Sequence, residues 1–359
     1  MQIDAISVCF PAKCISVDET VDMIRFHSKT SFQGDLDATL GYIRRLLQRS
    51  GARTRYWLAE DESPIDLLAN CVNETLARAN CSARSVDMLI YTGIGRGFIE
   101  PAQACVLAKK MGMLHAQCLD IVDACMSWSR AMQLAWHYLH SRTYECILIV
   151  NAEFLNIPGG ALYPVNYAIE NSRQIRWLLP TYTLGEAATA TVLSLGDNQW
   201  QWQWQWQWQF RSLNDKAHLC TIPSQGYRRY TSLEKNVLSD QVMAEKDQTG
   251  RLNSFGQELH DIAGPELKQV LHALDLELDK INTIFPHASS STAWNHFADI
   301  AGVTGKLYHI YPKYGNLISA SLPAAMELAC REKRISRGEQ LINWVGSAGM
   351  SFSAYSYVF

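Results

Sequence analysis

The chain has 359 residues, of which 48% are hydrophobic and 19% charged, so it can bury a large core and is not expected to be disordered. Its formal net charge of −3 gives no reason to expect nucleic acid as a partner. Ten cysteines without a Cys-x-x-Cys pair argue against a disulfide framework or a zinc site and favour a reducing cytoplasm. The sequence has neither a signal-peptide pattern nor an apolar run of about 18 residues, so we expect a cytoplasmic protein that does not enter the membrane.

Predicted strands and helices alternate along the chain. The first-half strands are IDAISVCF, VDMLIYTGI, QCLDIVDA, ECILIVNAEF and ATATVLSLG. The second-half strands are a run of alternating Trp and Gln, INTIFPHA, GKLYHIYP, QLINWVGSAG and FSAYSYVF. Helical spacing of apolar residues predicts helices in SPIDLLANCVNETLARAN, SWSRAMQLAWHYLHSR, GPELKQVLHALDLEL and SASLPAAMELACREKR. This alternation is typical of an α/β protein whose sheets are covered by helices.

The two halves of the chain repeat the same order of elements at an offset of about 195 residues. For example, VDMLIYTG at 86–93 corresponds to KINTIFPH at 280–287. We therefore predict an N-terminal half over residues 1–196 and a C-terminal half over residues 197–359, with catalytic groups where the halves meet.

Three segments do not fit a regular pattern. The Trp/Gln run at 198–210 would place its tryptophans on one face of an extended strand. We predict that this run lengthens a hairpin, packs its Trp face on the protein at a dimer edge, and ends in the first strand of the second half. A stacking platform for nucleic acid or sugar is the alternative. Irregular insertions at 156–183 and 221–262 are expected to form lids or channel walls.

Cys125, in LDIVDACMSWSRAMQLA, is the first candidate for catalysis. An apolar strand ends in a short turn, and Cys125 opens the predicted helix that follows. The positive end of a helix dipole and free backbone N–H groups favour the thiolate, which is the nucleophilic form of cysteine. A buried structural cysteine would give the same pattern, because free cysteines are among the most buried residues.

Together with Cys125, two later segments give a pattern that resembles the β-ketoacyl-ACP synthase III family of the thiolase superfamily. That family has D-x-A-A-A-C-x-G-F at its nucleophile, P-H-Q-A-N at its histidine and H-G-N-T-S-A-A-S at its asparagine. The corresponding segments here are DACMSW at Cys125, PHASSS at His287 and YGNLISAS at Asn316. LGEAATATVL (184–193) stands where the family has G-D-G-A-G-A, and the motifs occur in family order over nearly the whole chain.

The resemblance implies a thiolase-like, duplicated αβαβα layered fold with two pseudo-symmetric halves. It implies that Cys125 takes an acyl group from a thioester of CoA or of an acyl carrier protein. His287 and Asn316 would bind the carbonyl of a second acyl or malonyl thioester during Claisen-type C–C bond formation. The backbone N–H of Cys125 and one from the loop Gly346-Ser347-Ala348, centred on Ser347, would form an oxyanion hole. A homodimer that needs neither a metal nor another cofactor is also implied.

The chain departs from the family pattern beside two of these residues. Met126, Ser127 and Trp128 follow the cysteine where the family has a small residue, Gly and Phe. Ser289 and Ser290 stand in place of the Gln and Asn after the histidine. These changes argue against acetyl-CoA as the acyl donor.

Glu100, in GRGFIEPAQACVLAKKMGM, is a further departure. At this position the fatty-acid-pathway members have a phenylalanine that reaches across the dimer interface into the partner's acyl pocket. A carboxylate here is similar to the subgroup that joins two acyl thioesters head-to-head or performs related condensations of secondary metabolism. In an apolar tunnel, Glu100 would have a raised pKa and could act as a general base. A solvated loop residue is the alternative.

Five arginines lie close together in YIRRLLQRSGARTRYW (42–57), with an aromatic pair at the end. Arginine makes bidentate contacts with phosphate, and an aromatic ring can stack on adenine, so this patch is a candidate docking site for CoA or a carrier protein. A solvated helix face is the alternative. The candidate residues are Arg44, Arg45, Arg49, Arg53, Arg55 and Trp57.

Two other functions remain open for the same fold. The acyl group on Cys125 could be transferred to an oxygen or nitrogen acceptor, or the chain could be one subunit of a heterodimeric synthase. The complete Cys–His–Asn set argues against a non-catalytic subunit, since such a partner would be expected to lose the cysteine.

Overall fold

The computed structural model describes residues 1–196, 206–227 and 249–359. Within these residues the chain forms one five-stranded sheet, one four-stranded sheet and two short two-stranded sheets. The strands are Gln2–Cys9 (β1), Lys13–Ser16 (β2), Thr54–Trp57 (β3), Met88–Thr92 (β4), Gln117–Ile121 (β5), Cys146–Glu153 (β6), Ala187–Ser194 (β7), Gln207–Ser212 (β8), Cys220–Thr221 (β9), Asn253–Ser254 (β10), Thr283–Pro286 (β11), Gln340–Ser347 (β12) and Ser351–Val358 (β13).

The two main sheets have corresponding strand orders. The first sheet has the order β1-β7-β6-β4-β5, and the second has the order β8-β13-β12-β11. In each sheet, the strand that comes first in sequence (β1 or β8) pairs antiparallel with the strand that comes last (β7 or β13). That last strand also pairs antiparallel with a central strand (β6 or β12). That central strand then pairs parallel with the next one. The repeat that the sequence predicts is therefore present in the topology, while the division at residues 196 and 197 stays a prediction.

One predicted strand is wrong. In GKLYHIYP, the described structure has only an isolated bridge between Leu307 and Ile284. The chain turns instead into a short helix at Tyr311–Tyr314, with Pro312 in its first turn, where proline's fixed φ and missing N–H suit a helix better than a strand ladder. The second sheet therefore ends at β11, one strand earlier than the first sheet.

Helices cover both faces of the two sheets. The α-helices of the described residues are Val17–Ser28 (α1), Leu36–Arg49 (α2), Pro64–Arg78 (α3), Gln103–Met111 (α4), Ser127–His140 (α5), Ile175–Leu178 (α6), Gly256–His272 (α7), Ser291–Ala301 (α8), Tyr311–Tyr314 (α9) and Ser321–Arg331 (α10).

Two buried helices, α5 and α10, lie between the sheets. Helix α5 packs on β6 and reaches the second sheet through a hydrogen bond between Ser129 Oγ and Tyr355 Oη at 3.2 Å. Helix α10 contacts β1 and β7 of the first sheet and β11 of the second. Buried apolar side chains recur along α5 at helical spacing, and each contributes about 1.5–3 kcal/mol to stability when it is large. Helices α3 and α4 cover the outer face of the first sheet, and α7 packs outside the second, which completes an αβαβα layering.

The described part of the Trp/Gln run packs on the protein. Trp206 stacks on Tyr357 at 4.5 Å between ring centroids, and Trp208 stacks on Tyr355 at 4.6 Å. The indole N–H of Trp206 donates to Met1 O at 2.9 Å. The run also ends in β8, the first strand of the second sheet, as predicted. Because these two rings are covered, a stacking platform is wrong for them; the predicted hairpin at 197–205 lies outside the described residues.

Both insertions contribute to the wall of one large cavity, in agreement with their predicted role. Residues 171–180 form α6 and adjoining 3₁₀ turns, and several of their side chains line the cavity. The described end of the second insertion is not irregular, because it contains β10 and the first turns of α7, which also face the cavity. None of the helices in the described part of the chain combines the length and apolar character needed to cross a membrane.

Candidate active site

Cys125, His287 and Asn316 line a single cavity of about 1250 Å³. Cys125 follows β5 of the first sheet, whereas His287 follows β11 of the second and Asn316 lies between α9 and α10. The segment Gly346–Ala348, at the end of β12, lines the same cavity. The structure thus brings together three residues that are separated by up to 191 positions in the sequence (316 − 125 = 191).

Cys125 lies in a sharp 3₁₀ turn, Ala124–Met126, just before α5 begins at Ser127. Ala124 has a φ of 45°, which is uncommon for a residue with a Cβ and is typical of strained turns at functional sites. The Ser127 hydroxyl stabilises the turn, because it accepts from Asp123 N–H and donates to Ala124 O, both at 2.8 Å.

Burial raises the pKa of the Cys125 thiol well above its ordinary value. The nearby Cys220 and Glu153 side chains raise this pKa further, whereas the N–H groups of Cys125 and Ala348 lower it. The expectation that the helix terminus would favour the thiolate is therefore wrong for the unliganded protein, because removing the sulfur from water outweighs these N–H groups.

His287 is a neutral imidazole at the end of β11. Its backbone N–H donates to Trp344 O at 2.9 Å, and its side chain is almost fully buried. Burial lowers the pKa of His287 to about 4, so the ring is uncharged at neutral pH. Among the described residues, Nδ1 of this ring has no hydrogen-bond partner. An unsatisfied buried nitrogen of this kind is costly and is typical of a group that meets its partner in a ligand.

Asn316 is held by the first half of the chain. Its N–H donates to Thr183 O at 2.8 Å, and its carbonyl accepts from Gly185 N–H at 2.9 Å. Its Oδ1 accepts from Ile318 N–H at 2.8 Å, which orients the side-chain amide and leaves the two Nδ2 donors for a ligand. Gly315 is required before it, because its φ is 72° and a Cβ would lie 2.6 Å from Thr183 O.

The segment predicted to complete the oxyanion hole lies beside Cys125. Ser347 is buried, and its hydroxyl donates to Asp123 O at 3.3 Å, which ties the loop to the turn that carries Cys125. The N–H that contacts the thiol belongs to the next residue, Ala348, which lies within the segment Gly346-Ser347-Ala348 from which the second donor was expected.

Glu153 is a buried residue that the sequence analysis missed. It is fully buried at the end of β6, and burial raises its pKa to about 7. It accepts hydrogen bonds from Ser319 and from Ile94 N–H, and it is close enough to Cys125 to raise the pKa of that thiol. A charged residue at the end of the apolar run ECILIVNAEF was the available signal.

The structure does not place Glu100 in the cavity of its own chain. Glu100 is exposed, and it follows Phe98 and Ile99, of which Ile99 is 93% exposed. Within its own chain Glu100 therefore lies at the surface and outside the cavity, because the segment after β4 runs along the surface instead of turning inward. A contact of Glu100 with a partner subunit stays a prediction.

The arginine patch divides into exposed and buried members. Arg49 lines the mouth of the cavity. Arg44 is exposed but pairs with Asp18 at 2.9 Å, and Arg45 and Arg53 are exposed. Arg173, from the first insertion, lines the same mouth and was missed.

Arg55 and Trp57 are wrong as docking residues. Both lie on the inward face of β3, where Arg55 is 0% exposed and Trp57 is 1% exposed. The Trp57 indole N–H donates to Leu184 O at 3.1 Å, so its ring is part of the core. Burial lowers the pKa of Arg55.

Within residues 1–196, 206–227 and 249–359, no group of three His, Cys, Asp or Glu side chains is arranged to hold a metal ion.

Comparisons with known proteins agree with this geometry. Residues 271–358 match the family model described as 3-oxoacyl-[acyl-carrier-protein (ACP)] synthase III C terminal. The chain is 23% identical over 313 residues to beta-ketoacyl-[acyl-carrier-protein] synthase III 2 of Halalkalibacterium halodurans, covering 85% of each chain.

Solved structures with the same fold include two enzymes. Xanthomonas campestris OleA, with bound lauric acid and lauroyl-CoA, matches with a TM-score of 0.79 at 17% identity, over 99% of this chain and 98% of that one. The 3-oxoacyl-[acyl-carrier-protein] synthase III of Aquifex aeolicus matches with a TM-score of 0.77 at 18% identity, over 100% and 99% of the two chains.

The duplicated sheets and layered helices are the fold that the chain shares with these solved structures, and Cys125, His287 and Asn316 line one cavity of that fold. By sequence, the chain is similar to β-ketoacyl-[acyl-carrier-protein] synthases III along most of its length, and residues 271–358 match the C-terminal model of that family.

Proposed function

We propose that the protein joins two acyl thioesters in specialised metabolism, with Cys125 as nucleophile and His287 and Asn316 as carbonyl-binding residues. The observation that carries this proposal is the meeting of these three side chains and the Ala348 N–H in one cavity.

In the first step, Cys125 attacks the thioester carbonyl of an acyl-CoA or acyl carrier protein. The C–S bond to the carrier breaks, the acyl group bonds to Cys125 Sγ, and the thiol proton leaves with the released carrier thiol. The N–H groups of Cys125 and of the loop containing Ser347 and Ala348 stabilise the oxyanion. Fixed donors of this kind usually make the largest contribution to catalysis.

In the second step, a carboxylate base, for which Glu100 is the candidate, takes a proton from the α-carbon of another acyl thioester; on the alternative route a malonyl thioester loses CO₂. The resulting enolate attacks the acyl carbonyl, so a C–C bond forms and the C–S bond to Cys125 breaks. As the product leaves, the sulfur recovers a proton from the protonated base or, after decarboxylation, from solvent. Neutral His287 offers one N–H and Asn316 offers the Nδ2 donors to the enolate oxygen.

Carrier docking is assigned to the exposed arginines at and near the cavity mouth. Arg49 lines the mouth, Arg44, Arg45 and Arg53 are exposed close to it in sequence, and Arg173 faces the mouth from the first insertion. Guanidinium groups bind phosphates bidentately, so CoA and the phosphopantetheine of a carrier protein both suit this rim. The thioesters are substrates, and the proposed chemistry draws only on protein groups.

A homodimer in the cytoplasm completes the proposal. Strand β5 is an edge strand, and Phe98, Ile99 and Val122 are exposed where the chain leaves β4 and β5. Because β4 and β5 are parallel neighbours, these apolar side chains lie at the same end of the sheet. An open edge beside an apolar surface favours pairing with a second copy, which would carry Glu100 toward the partner's cavity.

Intact-mass measurement tests the first step. Incubation with octanoyl-, lauroyl- or palmitoyl-CoA, or with the corresponding acyl carrier proteins, is expected to add one acyl mass to the protein. Cys125→Ala should abolish the adduct. Cys220→Ala is the matched control, because Cys220 lines the same cavity and should leave the adduct intact.

Absence of an adduct with every donor, or an adduct that persists in Cys125→Ala, would contradict the proposal. Analysis of the released product for a new C–C bond then separates condensation from transfer to oxygen or nitrogen.

A further inference from the structure

The segment that carries Asn316 is anchored in the first half of the chain by a buried polar network. Ser319 lies in the 3₁₀ turn Ile318–Ala320, directly after Asn316. Its N–H donates to Glu153 Oε1 at 3.1 Å, and its hydroxyl donates to the same oxygen. These bonds join the second half to the end of β6.

Asn151 extends this network within β6. Its Nδ2 donates to Ser319 Oγ at 3.0 Å, and its Oδ1 accepts from Thr189 Oγ1, also at 3.0 Å. Glu153, Asn151 and Thr189 are each 0% exposed, and Ser319 is 1% exposed. Every polar side chain of the network is therefore shielded from water and partnered within the protein.

Glu153 also holds a third segment of the site. Its Oε2 accepts from Ile94 N–H at 3.2 Å, in the stretch that leads from β4 to Glu100. The space around it is closed, because a Cβ on Gly93 would lie 3.1 Å from Glu153 Oε1 and one on Gly95 would lie 2.7 Å from Ala152 O. One carboxylate thus contacts both the turn after Asn316 and the segment before Glu100.

A buried carboxylate without a cationic partner is costly, and its hydrogen bonds only partly offset that cost. An apolar side chain at the end of β6 would avoid this cost of burial but could not accept hydrogen bonds from Ser319 or Ile94. The positioning that these bonds provide is a physical reason for the carboxylate.

We propose that Glu153 is a positioning residue, which through Ser319 fixes the turn carrying Asn316 against the nucleophile. This inference rests on the proposed condensation reaction. It assigns Glu153 and Ser319 to the second step, in which Asn316 binds the enolate, and not to the loading of Cys125.

Step-resolved kinetics with lauroyl-CoA test this assignment. Loading is followed by intact mass, and condensation is followed as product formed from pre-acylated enzyme. We expect Glu153→Ala and Ser319→Ala to slow condensation by about 10–100-fold through misplacement of Asn316. Loading should stay within about twofold in Ser319→Ala. It should not fall in Glu153→Ala, because that variant also removes a charge that raises the pKa of Cys125. Glu153→Gln keeps Oε1 as an acceptor and should recover part of the condensation rate.

Glu327→Gln is the control for a merely structural effect. Glu327 is a carboxylate with a side chain only 2% exposed, on α10, paired with Arg78 and Arg331 away from the catalytic cavity. Glu327→Gln should change the stability of the protein but should not slow condensation more than it slows loading. Equal losses in loading and condensation for Ser319→Ala, or no loss in either, would overturn the assignment.

A second measurement does not depend on turnover. Amide hydrogen exchange in residues 315–320 should be about tenfold faster in Ser319→Ala than in the wild type, since the turn loses its side-chain anchor. Unchanged exchange would refute the anchoring role. If lauroyl-CoA and the other donors fail to load wild-type Cys125 but exchange is faster, the proposed function fails and the anchoring stands.

Discussion

At the scale of single residues, burial sets the charge state of the candidate catalytic groups. It raises the pKa of Cys125 and lowers the pKa of His287 to about 4. The resting site therefore holds a neutral thiol and a neutral imidazole rather than an ion pair. We infer that the thiol loses its proton as the thioester engages the oxyanion donors, because those donors lower the energy of the charge that develops.

His287 gives a prediction for stability against pH. The unfolded chain has a histidine pKa of 6.5, whereas the folded pKa is about 4, so between these values the unfolded state binds more protons. The free energy of unfolding should therefore fall as pH drops through this window, by about 1.4 kcal/mol per unit. At pH 5 this amounts to on the order of 2 kcal/mol.

Replacing His287 with Gln should remove this part of the acid dependence. The measurement is urea unfolding at pH 7 and pH 5, comparing the change between the two conditions in each variant. His115→Gln is the matched control, because His115 is exposed and its replacement should leave the change unaltered. The same pH dependence in His287→Gln and wild type would show that the ring is not held neutral by burial.

At the scale of helices and strands, the spacing of apolar residues and the order of most elements could be predicted from the sequence. The direction in which individual side chains point could not. The arginine patch shows why. Arg49 lies at the end of α2 and Arg55 on β3, so one compact stretch of sequence points its side chains in different directions. The alternation in TRYW put Arg55 and Trp57 on the same face, and that face proved to be the core.

The residues of the candidate site differ in how visible they are in the sequence. Cys125, His287 and Asn316 each follow or precede a regular element, so their motifs can be recognised locally. Glu153 and Ser319 are linked by hydrogen bonds between distant elements, which no local pattern records. The direction of the Cys125 pKa shift depended on how deeply the fold buries the thiol, and this is likewise a tertiary property.

The cavity wall between β12 and α7 yields a prediction for acyl-chain length. Gly346 lines the cavity, and a Cβ there would lie 3.8 Å from Phe352 and 3.9 Å from Leu267, which is ordinary contact without strain. Gly346→Leu should therefore fill cavity volume. We expect loading with palmitoyl-CoA to fall by about tenfold or more relative to octanoyl-CoA, since a displaced chain loses about 0.8 kcal/mol per buried methylene.

Gly264→Ala on α7 is the control. Its added Cβ would contact Phe297 and Ile300, and Gly264 does not line the cavity. The ratio of palmitoyl to octanoyl loading should stay at the wild-type value. An unchanged ratio in Gly346→Leu as well would show that the acyl chain takes another route from Cys125.

At the scale of the whole molecule, the proposed reaction depends on residues that are brought together from the two halves of the chain and from two copies of it. Cys125 comes from one pseudo-symmetric half, and His287 and Asn316 come from the other, so neither half has the whole candidate site. By its position, Glu100 is a candidate to contribute to the site of a second copy of the chain. Its carboxylate is exposed in one chain, beside apolar residues and the open edge of β5.

Mixed dimers test whether Glu100 acts across the interface. Cys125→Ala and Glu100→Ala chains, carrying different affinity tags, are co-expressed, and the heterodimer is isolated with both tags. If Glu100 serves the partner's cavity, the heterodimer has one site with both Cys125 and a partner Glu100. It should then recover about half of the wild-type condensation rate, while each variant homodimer is inactive or nearly so.

The opposite arrangement gives a different result. If Glu100 served its own chain, each site of the heterodimer would lack one of the two groups, and activity would stay at the level of the homodimers. As a control, the Cys125→Ala chain is paired with a chain that carries Glu60→Ala, at another exposed carboxylate. This heterodimer keeps one complete site in either arrangement, so it should have about half of the wild-type rate. Wild-type activity in the Glu100→Ala homodimer would remove Glu100 from the reaction altogether, because a general base cannot be deleted without slowing proton abstraction.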